Sequence, residues 1–175
     1  MKVRKMTVSA VLAAMALTVF AIEAQIPPVV PIPGVKLGLA NIFTVFSLYF
    51  LGPVYAGLIL TVRIVLGSLL LGQVSAMIYS LAGGILAYGI SVMLSRIING
   101  DKMWVVSVFA AIFHNAGQMA AAVLITQTPS LMWYMPALAV SGIITGAFTG
   151  VCAQLVYRRC GEITLSNKYQ KDSKK

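Results

Sequence analysis

Arg63 stands in an otherwise apolar stretch that runs from Val54 to Leu71, where a guanidinium has few ways to be satisfied. About nine residues into a helix, at 1.5 Å per residue, it sits roughly 14 Å deep, near the midplane of a bilayer. A charge at that depth is costly, so it either pairs with another group or faces a polar cavity. The same reasoning applies to His114, Asn115 and Gln118, which interrupt a second apolar stretch. His114 and Gln118 are four apart and Asn115 and Gln118 three apart, so the spacing puts these groups on one helix face. Such a face either hydrogen-bonds to neighbouring helices or lines a polar pocket. Glu23 closes the first apolar run and Lys36 opens the next. The two can pair across the prolines between them, or act as ordinary interfacial charges. Asn41 and Gln73 add hydrogen-bonding groups toward the same side. The expected solute-binding set is therefore Lys36, Asn41, Arg63, His114, Asn115 and Gln118, with Glu23 and Gln73 as an ion pair or rim, in a pocket open to the outer side.

Several chemistries are excluded by what the chain lacks. A lone histidine with no second histidine and no acidic pair makes no metal site. Cys152 and Cys160 lie outside any metal-ligand spacing and read as ordinary packing residues. No glycine-rich phosphate loop precedes a Lys-Ser/Thr pair, so the chain does not itself hydrolyse ATP. No catalytic set and no cofactor is expected. The formal net charge of +9 invites a nucleic-acid reading. The basic residues flank apolar segments instead of forming a soluble face, which argues against one.

The elements that must position these groups follow from the spacing of charge. Between Met6 and Tyr157 only Glu23, Lys36, Arg63, Arg96, Asp101 and Lys102 are charged, and the mean hydropathy of the whole chain is +0.92. Runs of about 20 apolar residues cross a bilayer as helices. The pattern predicts an all-α polytopic membrane protein with six helices, over about Met6–Gln25, Val35–Leu51, Val54–Leu71, Val74–Ile97, Met103–Ile125 and Leu131–Tyr157. The proline-rich segment from Ile26 to Gly34 cannot be helical. Gly52-Pro53, Gly72-Gln73, Asn99 to Lys102 and Thr126 to Pro129 mark the turns. Gly83-Gly84 permits a kink or a close helix contact. The second helix is short enough to be partly re-entrant. The first run is longer than a signal-peptide core and lacks a small-residue cleavage site, so it reads as an uncleaved helix. Residues 1–160 then form one transmembrane domain, and 161–175 a basic tail without regular structure.

Six helices put both termini on one side. Eleven of the thirteen basic residues then fall on that side, leaving only Lys36 and Arg63 elsewhere. The positive-inside rule makes it the cytoplasmic side. On the first helix, Ala10 and Ala14 make a small-xxx-small pair that permits close contact with another helix.

The stretch Pro33-Gly-Val-Lys-Leu-Gly-Leu-Ala-Asn-Ile42 resembles the signature of a bacterial family of small membrane proteins. They are known as the Gx transporter family or as heptaprenyl diphosphate synthase component I. The resemblance covers nearly the whole chain. It implies a bacterial cytoplasmic membrane, and a bundle similar to the substrate-binding S components of energy-coupling factor transporters. In those proteins a small-residue motif on helix 1 docks a membrane coupling subunit that works with ATPases, and Ala10 and Ala14 fit that pattern. The second family name implies a different role. Prenyl elongation needs carboxylates to hold Mg²⁺ against a diphosphate, and no Asp-Asp pair exists here. The chain is therefore at most a non-catalytic accessory of isoprenoid or quinone synthesis, or of a membrane redox assembly. A small-solute transport subunit is the first expectation.

Overall fold

The computed structural model describes residues 2–25, 38–72 and 74–172, with side chains at 3–25, 38–72 and 76–161. Lys36, Gln73 and the whole Ile26–Gly34 segment lie outside the described residues.

Among the described residues there are six α-helices: α1 Lys2–Glu23, α2 Asn41–Phe50, α3 Pro53–Leu70, α4 Val74–Ser95, α5 Met103–Thr126 and α6 Met135–Asp172. Short 3₁₀ turns at Gly100–Lys102 and Pro129–Tyr134 precede α5 and α6, and no strand occurs among the described residues. Every helix except α2 contains an apolar stretch long enough to cross a membrane, as a multi-pass membrane protein requires.

The chain direction alternates. Tyr49, at the end of α2, donates its hydroxyl to Ile98 O beyond α4 at 2.8 Å, and its ring meets Tyr157 of α6 edge-on. Gly100 lies under the Tyr157 ring, Arg158 pairs with Asp101 at 3.3 Å, and Lys5 sits over the Tyr55 ring. One end of the bundle thus gathers the starts of α1, α3 and α5 with the ends of α2 and α4 and the Tyr157 turn of α6. Of the basic residues with described side chains, Arg63 alone lies away from this end.

The helix boundaries follow local chemistry. Gly52 takes φ +99, which favours glycine, and Pro53 then opens α3 where its missing N–H costs nothing. Three boundaries differ from the sequence expectation. The second helix starts at Asn41, not near Val35: Gly38 adopts φ +77, and the Asn41 N–H closes a tight turn onto Gly38 O. At 10 residues, α2 is about 15 Å long and does not cross a bilayer. The sixth begins as 3₁₀ over Pro129–Tyr134 because Pro136 has no N–H to return to Met132 and crowds the turn before it. At its far end α6 runs on to Asp172, into the segment expected to lack regular structure.

Glycines set the closest seams. A Cβ on Gly117 of α5 would come within 2.8 Å of Gly83 Cα, and one on Gly83 within 2.6 Å of His114 O. Gly142, Gly146 and Gly150, one per turn of α6, press on the α5 backbone, where added Cβ atoms would lie 2.7 Å from Val108 Cα and 2.5 Å from Trp104 Cα at the last two. The Gly83-Gly84 pair therefore serves close packing within an unbroken α4. Glycine seams of this kind let backbones approach and gain van der Waals contact in lipid. They tie α4, α5 and α6 into one slab, against which α1, α2 and α3 pack. A further buried cluster joins the two groups through Ala16, Val45, Ile59, Ala87 and Ala110.

Candidate functional site

The buried ionisable groups meet where the slab faces the first three helices. Arg63 is buried on α3, with only 4% of its surface exposed, and Glu23 and His114 are buried as well. Both lie close enough to Arg63 for their charges to act on one another. Glu23, the last residue of α1, accepts a hydrogen bond from the backbone N–H of Gly38. Gly38 in turn lies against the His114 ring, 3.8 Å from Cδ2 to the place a Cβ would take, and its carbonyl caps Asn41 N at 2.9 Å. On the other side, Gly83 of α4 backs onto the His114 Nδ1 edge and the Gln118 side chain. Five helices thus contribute: Glu23 from α1, Asn41 from α2, Arg63 from α3, Gly83 from α4, His114 and Gln118 from α5.

Depth explains why they meet. Arg63 is ten residues along α3 and His114 eleven along α5, about 15 and 16 Å from the shared basic end. The half-length α2, rising about 15 Å from that same end, begins at this level. Its shortness is therefore a feature of the site. Irregular backbone at membrane depth is tolerated only where protein buries it or it lines a cavity. Here Glu23 takes up the Gly38 N–H.

Two buried polar atoms near this level have no hydrogen-bond partner among the described residues, Arg63 Nε and Thr44 Oγ1 on the first turn of α2; Ser68 Oγ is a further orphan, about 7.5 Å along α3 from Arg63 and about 140° round it. Buried polar groups are normally paired, so these orphans call for an explanation. No group of three His, Cys, Asp or Glu side chains able to hold a metal occurs among the described residues.

The structure brings Asn41, Arg63, His114, Gln118 and Glu23 into one neighbourhood. It does not do so for Asn115. That residue points to α6, donates its amide to Leu138 O at 2.8 Å and lies beside Gly142. The 100° step between consecutive helical residues separates it from His114. Glu23 holds the backbone leading into α2 through the Gly38 N–H. Sequence reasoning missed Gly38 and Thr44, although a glycine in the Lys-Leu-Gly run was a signal for a backbone break. It also missed the Gly142/Gly146/Gly150 seam, readable as a small-residue repeat at a period of four. Ala10 and Ala14 face outward on α1 while Ala13 and Ala16 are buried. Cys152 and Cys160 are unbridged. A shallow apolar cleft of about 180 Å³ between α3 and α4, lined by Leu60, Ile64, Leu81, Ile85 and Tyr88 among others, contains none of the buried ionisable groups.

Comparison with known proteins gives one match. The family described as heptaprenyl diphosphate synthase component I matches residues 12–156. No curated protein and no solved structure gives a significant match. The match covers most of the chain, including every described residue of the buried cluster, and the chain belongs to the heptaprenyl diphosphate synthase component I family.

Proposed function

We propose that this chain is the solute-binding subunit of a membrane transport system, taking up a small solute with an energising partner. The observation that supports this best is the buried cluster of Glu23, Asn41, Arg63, His114 and Gln118 at the level where α2 begins. Polar groups inside a membrane are expensive and mark ligand or ion pathways. A helix that starts at mid-depth over such a cluster is a familiar way to build a binding site in a transporter. The chain carries no nucleotide-binding motif and so does not hydrolyse ATP itself; in this reading its energy comes from a partner, in the simplest case a membrane coupling subunit with ATPases. The outward-facing Ala10 and Ala14 on α1 fit such a docking surface. In this reading both termini are cytoplasmic in a bacterial inner membrane, by the positive-inside rule. The protein itself is not an enzyme: Glu23 is the single carboxylate within its apolar spans, and two-carboxylate or Mg²⁺ chemistry has no foothold there.

The family description favours a second reading, in which the chain is a non-catalytic membrane component beside a prenyl diphosphate synthase. Co-purification of the tagged full-length protein decides between them. A coupling subunit with ATPases in the eluate supports transport. A soluble prenyl synthase in their place overturns it.

A further inference from the structure

We infer that the solute held at this site carries an oxyanion, a carboxylate or a phosphate, and that Arg63 receives it. The inference rests on the solute-binding reading above. Its basis is the chemistry of the groups left unpartnered. Arg63 Nε can only donate a hydrogen bond, and the Thr44 hydroxyl can donate. A donor left unpaired away from water costs free energy, and a bound acceptor removes the cost. The same location holds the start of α2, whose first N–H groups, of Asn41, Ile42 and Phe43, already donate to Gly38 O, Leu39 O and Ala40 O, so that it adds the field of the helix and no free donor. A helix start carries partial positive charge and favours anions.

The one carboxylate present does not fill the role. Glu23 accepts from the Gly38 N–H, which fixes the backbone leading into α2. Its charge acts on Arg63, yet the Nε edge of the guanidinium stays unpartnered. Arginine binds carboxylate and phosphate through paired donors, so a free Nε edge is half of a fork awaiting its acceptors. Asn41, at the first position of α2 and next to Gly38, is placed to read a neighbouring polar group of the same ligand. An acceptor-rich but neutral ligand would satisfy the Thr44 hydroxyl and bring no negative charge to the unpartnered edge of the buried cation.

The test uses the purified full-length protein. Thermal unfolding is followed in sodium phosphate, sodium acetate and sodium chloride at equal ionic strength, and native mass spectrometry reads any co-purified solute. Phosphate or acetate should raise the midpoint in a saturable way that chloride does not, and the difference between the two anions identifies which oxyanion is preferred. Arg63→Gln should abolish the shift. Arg63→Lys, which keeps the charge but loses the fork, should weaken apparent affinity about tenfold, as should Thr44→Val, which removes one donor. Arg96→Gln, at the basic end, should leave the shift intact. The anion inference is overturned if no anion-specific shift occurs, or if Arg63→Lys, Arg63→Gln and Thr44→Val all keep the wild-type shift. A neutral or cationic solute that co-purifies and is lost in Arg63→Gln overturns it too, while leaving the solute-binding reading standing. An Arg63-dependent anion site in a protein that supports no uptake does the reverse.

Discussion

Replacing Gly83 by alanine tests how the site is held, and Gly89 on the same helix supplies the control. Both lie within α4, and in a helix interior alanine is favoured over glycine by about 0.8–1 kcal/mol. That gain is common to the two variants and cancels in their difference. What remains is the fit of one methyl group. At Gly89 nothing lies within 4 Å of the new carbon. At Gly83 it would sit 2.6 Å from the backbone oxygen of His114, 2.7 Å from Gln118 Cγ and 3.1 Å from His114 Nδ1. The Gln118 side chain can turn away, but the carbonyl of α5 cannot move without its helix. Gly117 presses on α4 at the same level, with 2.8 Å from its own added carbon to Gly83 Cα, so the seam has no slack. Overpacking of this kind costs about 1–3 kcal/mol. At about 2–4 °C per kcal/mol for a chain of this size, the unfolding midpoint of Gly83→Ala should lie about 2–12 °C below that of Gly89→Ala. The methyl also pushes on the ring and carbonyl of His114, so Gly83→Ala should lose solute binding while Gly89→Ala keeps it. Matched thermal melts and binding measurements in one detergent read both quantities. Equal midpoints with equal binding would refute the claim that α4 and α5 meet too closely here for a side chain.

Glu23→Gln keeps an acceptor for the Gly38 N–H but removes the negative charge that acts on the buried Arg63, so stability should fall. The double variant with Arg63→Gln should recover much of that loss, and simple additivity in unfolding measurements would show that the two charges are not coupled. Asp101→Asn should change stability by under about 1 kcal/mol, because the Asp101–Arg158 pair is more than half exposed on both sides and screened by water; a larger midpoint shift would give that pair a role the structure does not account for. With Cys152 and Cys160 replaced, a cysteine at Thr128 should label from outside intact cells and one at Asn99 should not, and the opposite pattern would invert the orientation.

The reasoning that worked from sequence was energetic, and the part that failed was angular. The meeting of Arg63 and His114 was legible because each is too costly in lipid to stand alone and each lies at a similar distance from its helix start. That argument needs depth only. The grouping of Asn115 with them needed helix phase, and adjacency along the chain is poor evidence there: one step turns a side chain through 100°, enough to send Asn115 to α6 and leave His114 and Gln118 facing α4. The α2 boundary failed for another reason. Hydropathy saw continuous apolar character from Val35 onward, whereas the break depends on Gly38 taking a left-handed conformation that no hydropathy scale registers. The consequence reaches the proposed function. Had α2 run the full width of a bilayer, its start would lie near the surface, far from Arg63. Because it is half that length, its N-terminus and the Gly38 turn, with the Glu23 carboxylate on the Gly38 N–H, arrive near the depth of the buried guanidinium. The short helix is thus the element that converts scattered polar residues on long helices into one site, and Gly38→Ala, which strains a turn held at φ +77 and sets a methyl in ordinary contact with the His114 ring while removing no ionisable group, should impair solute binding while leaving the glycine-seamed α4–α6 slab in place.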